Sequence, residues 1–320
     1  MAANAGGELA AAVCRAGGLG LIGAGHVGVD QLKAEVAKGR QALGMSDDDP
    51  VPWGVGLYLW KMEAPHLSEP DAESTSSAFL SYVVSISPHS VWLAFSPDLE
   101  AWVRRYRAVE ASQGPGKRKA FVFVMASRTQ DTVAARTWPG VDVVVAQGTE
   151  AGGHGPGHDL GLPLDELLDD VSSEYPATGP RPYLVAAGGL SSASSVSRTL
   201  KRFPHVAGVV SGTAFTVATE SLWPRAQKEL VVRTPEGGTA RGLEWDEVRN
   251  ALGWPRGVDG RAIKNSTNGT DGTVRIDEGI EGTEGGPDLD VVGTWAGTGV
   301  GDVRAIRPAA EILADLVSEL

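Results

Sequence analysis

The sequence predicts an α/β chain in which parallel strands and helices alternate around a (β/α)8 barrel. Three observations predict it. Short apolar runs recur along the chain, each followed by a helix-length amphipathic segment. The runs are dense in Val, Ile, Leu and Ala, as in strands buried on both faces. Glycine clusters close several of the runs, which places loops with little side-chain bulk at strand ends.

Taken in order, residues 7–16 read as a helix closed by Gly17-Gly18. Residues 19–22 are a strand, and 30–43 a helix with Lys33, Glu35, Lys38 and Arg40 outward. A strand at 53–59 precedes a helix at 72–85. A strand at 91–95 precedes a helix at 98–111, with Asp98 as its cap. Then come a strand at 119–125 and a helix at 129–136, a strand at 141–146 and a helix at 164–171. A strand at 183–187, a helix at 192–203 and a strand at 207–210 complete the series. That makes seven strands, where a complete barrel of this kind has eight. Residues 221–300 break the pattern: Trp223-Pro224, Trp254-Pro255 and a Gly/Thr/Asp/Glu-rich run from 257 to 293 predict a loop-rich extension. A last helix at 308–320 carries Ile312, Leu313, Leu316 and Val317 on one face. The expected division is 1–220 for the barrel and 221–320 for the extension with its closing helix.

Composition narrows the function. A formal charge of −12 argues against nucleic acid and anionic membrane as partners, since both need basic patches. The single cysteine, Cys14, allows no internal disulfide framework and reads as a buried helical residue. No apolar run of about 18 residues is present, and the first residues show no signal-peptide pattern, so a cytoplasmic chain is expected.

The chemistry concentrates in VDVVVAQGTEAGGHGPGH, residues 141–158. A buried strand ends at Gln147, and Gly152-Gly153 then deliver one imidazole, His154, suited to proton transfer near neutral pH. The Gln147 amide suits the edge of a flat heterocycle. Gly188-Gly189 and Ser211-Gly212-Thr213 follow the last two strands, where barrels of this kind hold a phosphate on backbone N–H groups. His154 and His158 are four apart, but Gly155-Pro156-Gly157 forbids the helix that would make them metal ligands, so no metal site is expected. His26, His66, His89 and His205 read as structural, with His26 the one to watch because it follows a strand. No dinucleotide or Walker fingerprint is present.

The runs AQGTEAGGH (146–154), AAGGLSSASSV (186–196), VVSGTAF (209–215) and AGTGVGDVRAIRPAAEI (296–312) resemble, in order, those of the nitronate monooxygenase family, formerly the 2-nitropropane dioxygenases. The resemblance implies a TIM barrel and FMN, with oxidation of alkyl nitronates, and nitroalkanes as the further candidate substrate, by O2 to a carbonyl compound and nitrite. It implies flavin contacts at Met1 and Ala2, Gln147, Gly152, Gly153, Gly188, Gly189, Ser211, Gly212 and Thr213, with His154 catalytic. It also implies that the chain lacks the family's first strand, which precedes the match to Met1-Ala2. Gly54-Val55-Gly56 stands where the family often has Gly-Val-Asn, so one side-chain contact to the flavin is missing. The expected partners are a small nitronate and O2, with a homodimer as the candidate assembly. The rival expectations are an FMN-dependent NAD(P)H enoyl-reductase and a degenerate barrel without catalysis.

Overall fold

The computed structural model describes residues 4–25, 27–63, 69–114, 118–157, 160–175, 182–267 and 289–320. Its strands are β1 Leu21–Gly23, β2 Gly54–Tyr58, β3 Ser90–Ala94, β4 Phe121–Ala126, β5 Val143–Gln147, β6 Gly153–Pro156, β7 Tyr183–Ala187, β8 Val206–Val210, β9 Thr239–Gly242 and β10 Val258–Ile263. Its helices are α1 Gly7–Arg15, α2 Val29–Leu43, α3 Glu69–Ser85, α4 Leu99–Ser112, α5 Thr129–Ala135, α6 Leu164–Val171, α7 Ala193–Arg202, α8 Thr213–Thr216, α9 Arg225–Arg233, α10 Glu244–Val248 and α11 Ala309–Leu316.

Seven strands form one parallel sheet in the order β1-β2-β3-β4-β5-β7-β8, a curled half-barrel with right-handed crossover helices expected for parallel neighbours. Pairing stays in step from Val143↔Tyr183 to Gln147↔Ala187, so the ends of β5 and β7 arrive together. Among the described residues β1 and β8 are the two edges of this sheet. Residues 4 and 5 tie to both sides: Gly23 N–H donates to Ala5 O at 2.9 Å, and Leu222 N–H to Asn4 O at 2.9 Å.

Alternate residues of β2 explain how the sheet is covered. Val55 and Leu57 are buried, while Gly56 and Tyr58 on the other face are only partly covered. In α6 the apolar positions Leu164, Leu167, Leu168 and Val171 follow the helical spacing and are all buried. Asp98 caps α4 by accepting from Ala101 N at 2.9 Å. Ser192 and Ser195 form a capping box at the start of α7. The last helix ends at Leu316, so Val317 falls outside it and is exposed, while Ile312 and Leu316 pack inward.

The stretch after β8 holds more regular structure than its composition suggests. β9 and β10 join β6 in a three-stranded antiparallel sheet, order β6-β10-β9. The Gly-Thr-Asp-Glu run beyond residue 267 lies outside the described residues until 289. The small sheet matters because β6 is the second half of the AQGTEAGGH loop: Gly260 pairs with His154, and Arg261 with Gly153.

Candidate active site

The four glycine-containing runs meet at the ends of β5, β7 and β8. Gly148 N–H donates to Ala187 O at 2.9 Å, joining the loop after β5 to the end of β7. Gly188 and Gly189 have φ of 117° and 70°, the left-handed region that favours glycine. A Cβ on Gly188 would stand 3.1 Å from Ala151 N. The C-terminal run closes the junction, because Thr298 N–H donates to Glu150 O and Gly297 N–H to Thr213 Oγ1, each at 2.9 Å. Here backbone lies on backbone: a Cβ on Gly152 would be 2.5 Å from Gly297 N, and one on Gly297 would be 2.5 Å from Glu150 O.

Two buried guanidinium groups hold the loop from behind. Arg241 has a side chain only 1% exposed and pairs with Asp259 at 2.6 Å. It also donates to Thr149 O at 3.2 Å and Ala151 O at 3.4 Å. Arg261 Nε donates to Thr149 O at 2.9 Å. Burial, with Arg241 nearby, pushes the Arg261 guanidinium below its ordinary value. The Glu150 carboxylate accepts from Leu164 N–H at 2.9 Å, at the first turn of α6 where a negative charge is favoured.

His154 lies on β6 with a side chain 9% exposed. Its Nε2 faces both oxygens of Asp246, at 2.9 and 3.1 Å, and Asp246 is 3% exposed. A carboxylate only accepts, so in the neutral ring Nε2 carries the proton and Nδ1 the lone pair. The imidazole stacks on Trp254 with centroids 3.6 Å apart and planes at 11°, and Trp295 lies tilted at 4.7 Å. Trp254 in turn meets Tyr58, Phe95 and Trp60 at 5.6, 5.2 and 5.0 Å. The box therefore connects β6 to the ends of β2 and β3. Burial holds Lys61, beside this box, below the ordinary lysine value, with Arg249 acting the same way and Asp246 opposing.

The residues named from sequence fall into several groups. Gly152, Gly153, Gly188, Gly189, Gly212 and Thr213 belong to the glycine junction or its immediate continuation. The Thr213 hydroxyl is engaged by Gly297, whereas Ser211 Oγ is buried without a hydrogen-bond partner. Gln147 is buried at the end of β5, its Oε1 accepting from Ser127 at 3.3 Å and its Nε2 donating to His154 O at 3.4 Å. Met1, Ala2, His26, His66 and His158 lie outside the described residues. His89 and His205 lie by the starts of β4 and β8, stacked on Phe121 and edge-on to Phe203, and burial holds both below the ordinary histidine value. Cys14 is half-buried, accepts from Gly20 N–H at 3.4 Å, and burial pushes its thiol up, which disfavours the reactive thiolate. Among the described residues no group of three His, Cys, Asp or Glu gathers where a metal could sit.

Sequence reasoning missed Asp246, Trp254, Trp295, Arg241 and Arg261. The Trp254-Pro255 pair stood out only as a misfit to the strand–helix repeat. Nothing linked it, or Asp246, to a histidine more than 90 positions upstream.

A parallel α/β half-barrel with a glycine-lined junction and a buried His154–Asp246 contact beside it has the layout of a barrel enzyme, whose site lies at the ends of the parallel strands. A nearly full-length match, residues 1–319, to the family model described as nitronate monooxygenase shows that the chain belongs to that family. A nitronate monooxygenase of Neurospora crassa is 31% identical over 98% of this chain and 86% of its own length. Among solved structures, a nitroalkane oxidase from Streptomyces ansochromogenes superposes with a TM-score of 0.70 at 22% identity, covering 99% of this chain and 92% of that one. FabK from Thermotoga maritima matches with a TM-score of 0.70 at 20% identity, covering 100% and 90%. These two likenesses establish the shared fold. No helix among the described residues is long and apolar enough to cross a membrane.

Proposed function

We propose that this chain oxidises alkyl nitronates with O2 to a carbonyl compound and nitrite. FMN would be held at the ends of β5, β7 and β8, and His154 would act as the acid–base residue. The observation that carries the reading is the meeting of a glycine junction with one buried, oriented imidazole. In this reading residues 1–220 bind the flavin, and the following segment supplies Asp246, Trp254 and the arginine clamp.

The residues present fit a phosphate-bearing flavin. Ser211 Oγ is an orphaned buried hydroxyl at the end of β8, and an anionic oxygen there would satisfy it. The backbone N–H groups around Gly188-Gly189 and Gly212 would hold the single phosphate of FMN. FMN, when bound, supplies the electron-accepting chemistry. The chain's own residues do the rest. Where the substrate arrives as the neutral nitroalkane, His154 Nδ1 takes the proton from the carbon next to the nitro group; a nitronate has already lost it. Trp254 and Trp295 shield the imidazole from water. Arg241 and Arg261 make the potential behind the loop favourable to an anion.

Denaturing the purified protein and chromatographing the released flavin tests the cofactor. FMN is expected, and FAD would overturn the phosphate assignment. Anaerobic mixing with ethyl nitronate should bleach the flavin spectrum, and rapid bleaching by NADH would favour the enoyl-reductase reading instead.

A further inference from the structure

Taking a proton gives the imidazole a charge in a place screened from water, and something nearby must stabilise it. Asp246 is the group in contact. Its carboxylate is nearly inaccessible and aims both oxygens at Nε2. It is also fixed from several sides. Trp245, its neighbour on α10, is fully buried and donates to Asn265 Oδ1 at 3.1 Å, and Ala251 N–H donates to Asp246 O at 2.8 Å. The imidazole cannot turn away, because Trp254 stacks on its plane. Lys61 and Arg249 bring positive charge to the neighbourhood, Glu244 and Glu247 share α10 with Asp246, and the Arg241–Asp259 pair lies on the adjoining strands.

We propose that Asp246 is the positioning residue of a His154–Asp246 dyad. It holds the ring in the tautomer with Nε2–H toward the carboxylate and the lone pair on Nδ1, and it stabilises the imidazolium once formed. The dyad equips the chain to take neutral nitroalkanes as well as preformed nitronates. The C–H bond next to the nitro group breaks, its electron pair stays on the substrate as the nitronate, and the proton goes to Nδ1. The pair passes from one negative charge to none. This proposal rests on the nitronate-oxidising reading for its substrates, and on geometry alone for the dyad.

The test has two arms. The first is 15N NMR of the holoenzyme labelled in its histidine rings, with the His154 signal assigned by its loss in His154→Asn. The Nε2–H tautomer is expected in the wild type and a disturbed tautomer in Asp246→Asn. A wild-type His154 in the Nδ1–H form overturns the dyad whether or not Asp246→Asn folds. The second is turnover of nitroethane against ethyl nitronate. Asp246→Asn should lose on the order of 10²-fold in kcat on nitroethane, a share of what an oriented general base supplies. The loss on ethyl nitronate, which has already given up its proton, should be at least about tenfold smaller than the loss on nitroethane, and Asp246→Glu should recover part of the nitroethane loss. Equal losses on both substrates, with Glu no better than Asn, would make the contact merely structural and sink the proposal. If the wild type turns over neither substrate while the tautomer behaves as expected, the dyad stands and the substrate reading fails.

Discussion

The two sides of the site are built from different materials. Around Gly152, Gly188 and Gly297 the structure is backbone packed on backbone, with almost no side chain between. Around His154 it is side chains from distant segments: Asp246 from α10, Trp254 from the loop before β10, and Trp295. A backbone-built junction can hold an anion through N–H groups, but it has no freedom to accept bulk. A side-chain-built pocket can lose one function to one substitution and keep its shape. The contrast predicts that damage on the first side appears as lost folding and lost flavin, and on the second as lost turnover in a folded, flavin-bearing protein.

The largest effect should come from Gly297→Val. Its Cβ would press on Glu150 O at 2.5 Å and Gly152 N at 2.9 Å, where neither backbone can yield. A destabilisation of about 3 kcal/mol or more, at or above the top of the usual overpacking range, is expected in urea unfolding, together with loss of the flavin absorbance. Near-normal stability would break the comparison.

His154→Asn should do the opposite. The proposed base contributes about 10²–10⁴-fold, so turnover of neutral nitroalkane should fall in that range, with a smaller fall on nitronate. The protein should still fold and hold flavin, with a thermal midpoint lowered because the buried Asp246 carboxylate loses its imidazole partner. Unchanged turnover on both forms would remove His154 from the chemistry.

Arg261→Met lies between the two sides, because a side chain from β10 serves the backbone junction. Thr149 O would keep its longer bond from Arg241, so losing the Arg261 donor should cost about 0.5–1.5 kcal/mol in unfolding experiments. It should also weaken flavin retention and leave the nitroalkane-to-nitronate ratio unchanged. A change in that ratio would place the arginine with His154.

The smallest effect is expected from Gly56→Asn. The nearest atom to a Cβ there is Ile22 O, at an ordinary 3.7 Å. Stability should change by less than about 1 kcal/mol, the span of strand preferences. Tighter flavin binding, read by equilibrium dialysis, would show that position 56 faces the flavin, and unchanged affinity would show that it does not.

The same contrast explains what the sequence disclosed. The helix at 164–171 was legible to the residue because Leu164, Leu167, Leu168 and Val171 recur at the helical period. The strand at 183–187 was equally clear, and the helix expected at 192–203 is α7, with Ser192 as its cap and not its first residue. β1 begins two residues later than its apolar pattern, because glycines blur so short a strand. The glycine junction was legible because its signal is local: glycines directly after apolar runs. β9, Thr239–Gly242, and β10, Val258–Ile263, were not, since charged Arg241, Asp259 and Arg261 interrupt any apolar alternation. Buried arginine is rare enough that each of these reads as surface. Asp246 sits among Glu244 and Glu247 on a five-residue helix, which in sequence looks like a solvated acidic face. Only the pairing of Gly260 with His154 brings that helix to the imidazole, and pairing between distant strands leaves no local mark.

The antiparallel pairing of β6 with β10, and the bond from Thr298 to Glu150, also have a consequence in time. The loop at 147–154 is synthesised long before the segments that pin it. At about 5–20 residues per second, a ribosome needs roughly 8–30 s to travel from Glu150 to Thr298. During that interval the nascent glycine loop has neither its arginine clamp nor the Gly297 backbone against it, and His154 has no Asp246. The candidate site is thus among the last parts of this protein to come into existence, and a chain stalled before residue 240 would carry the whole parallel sheet and still lack the partner that orients His154.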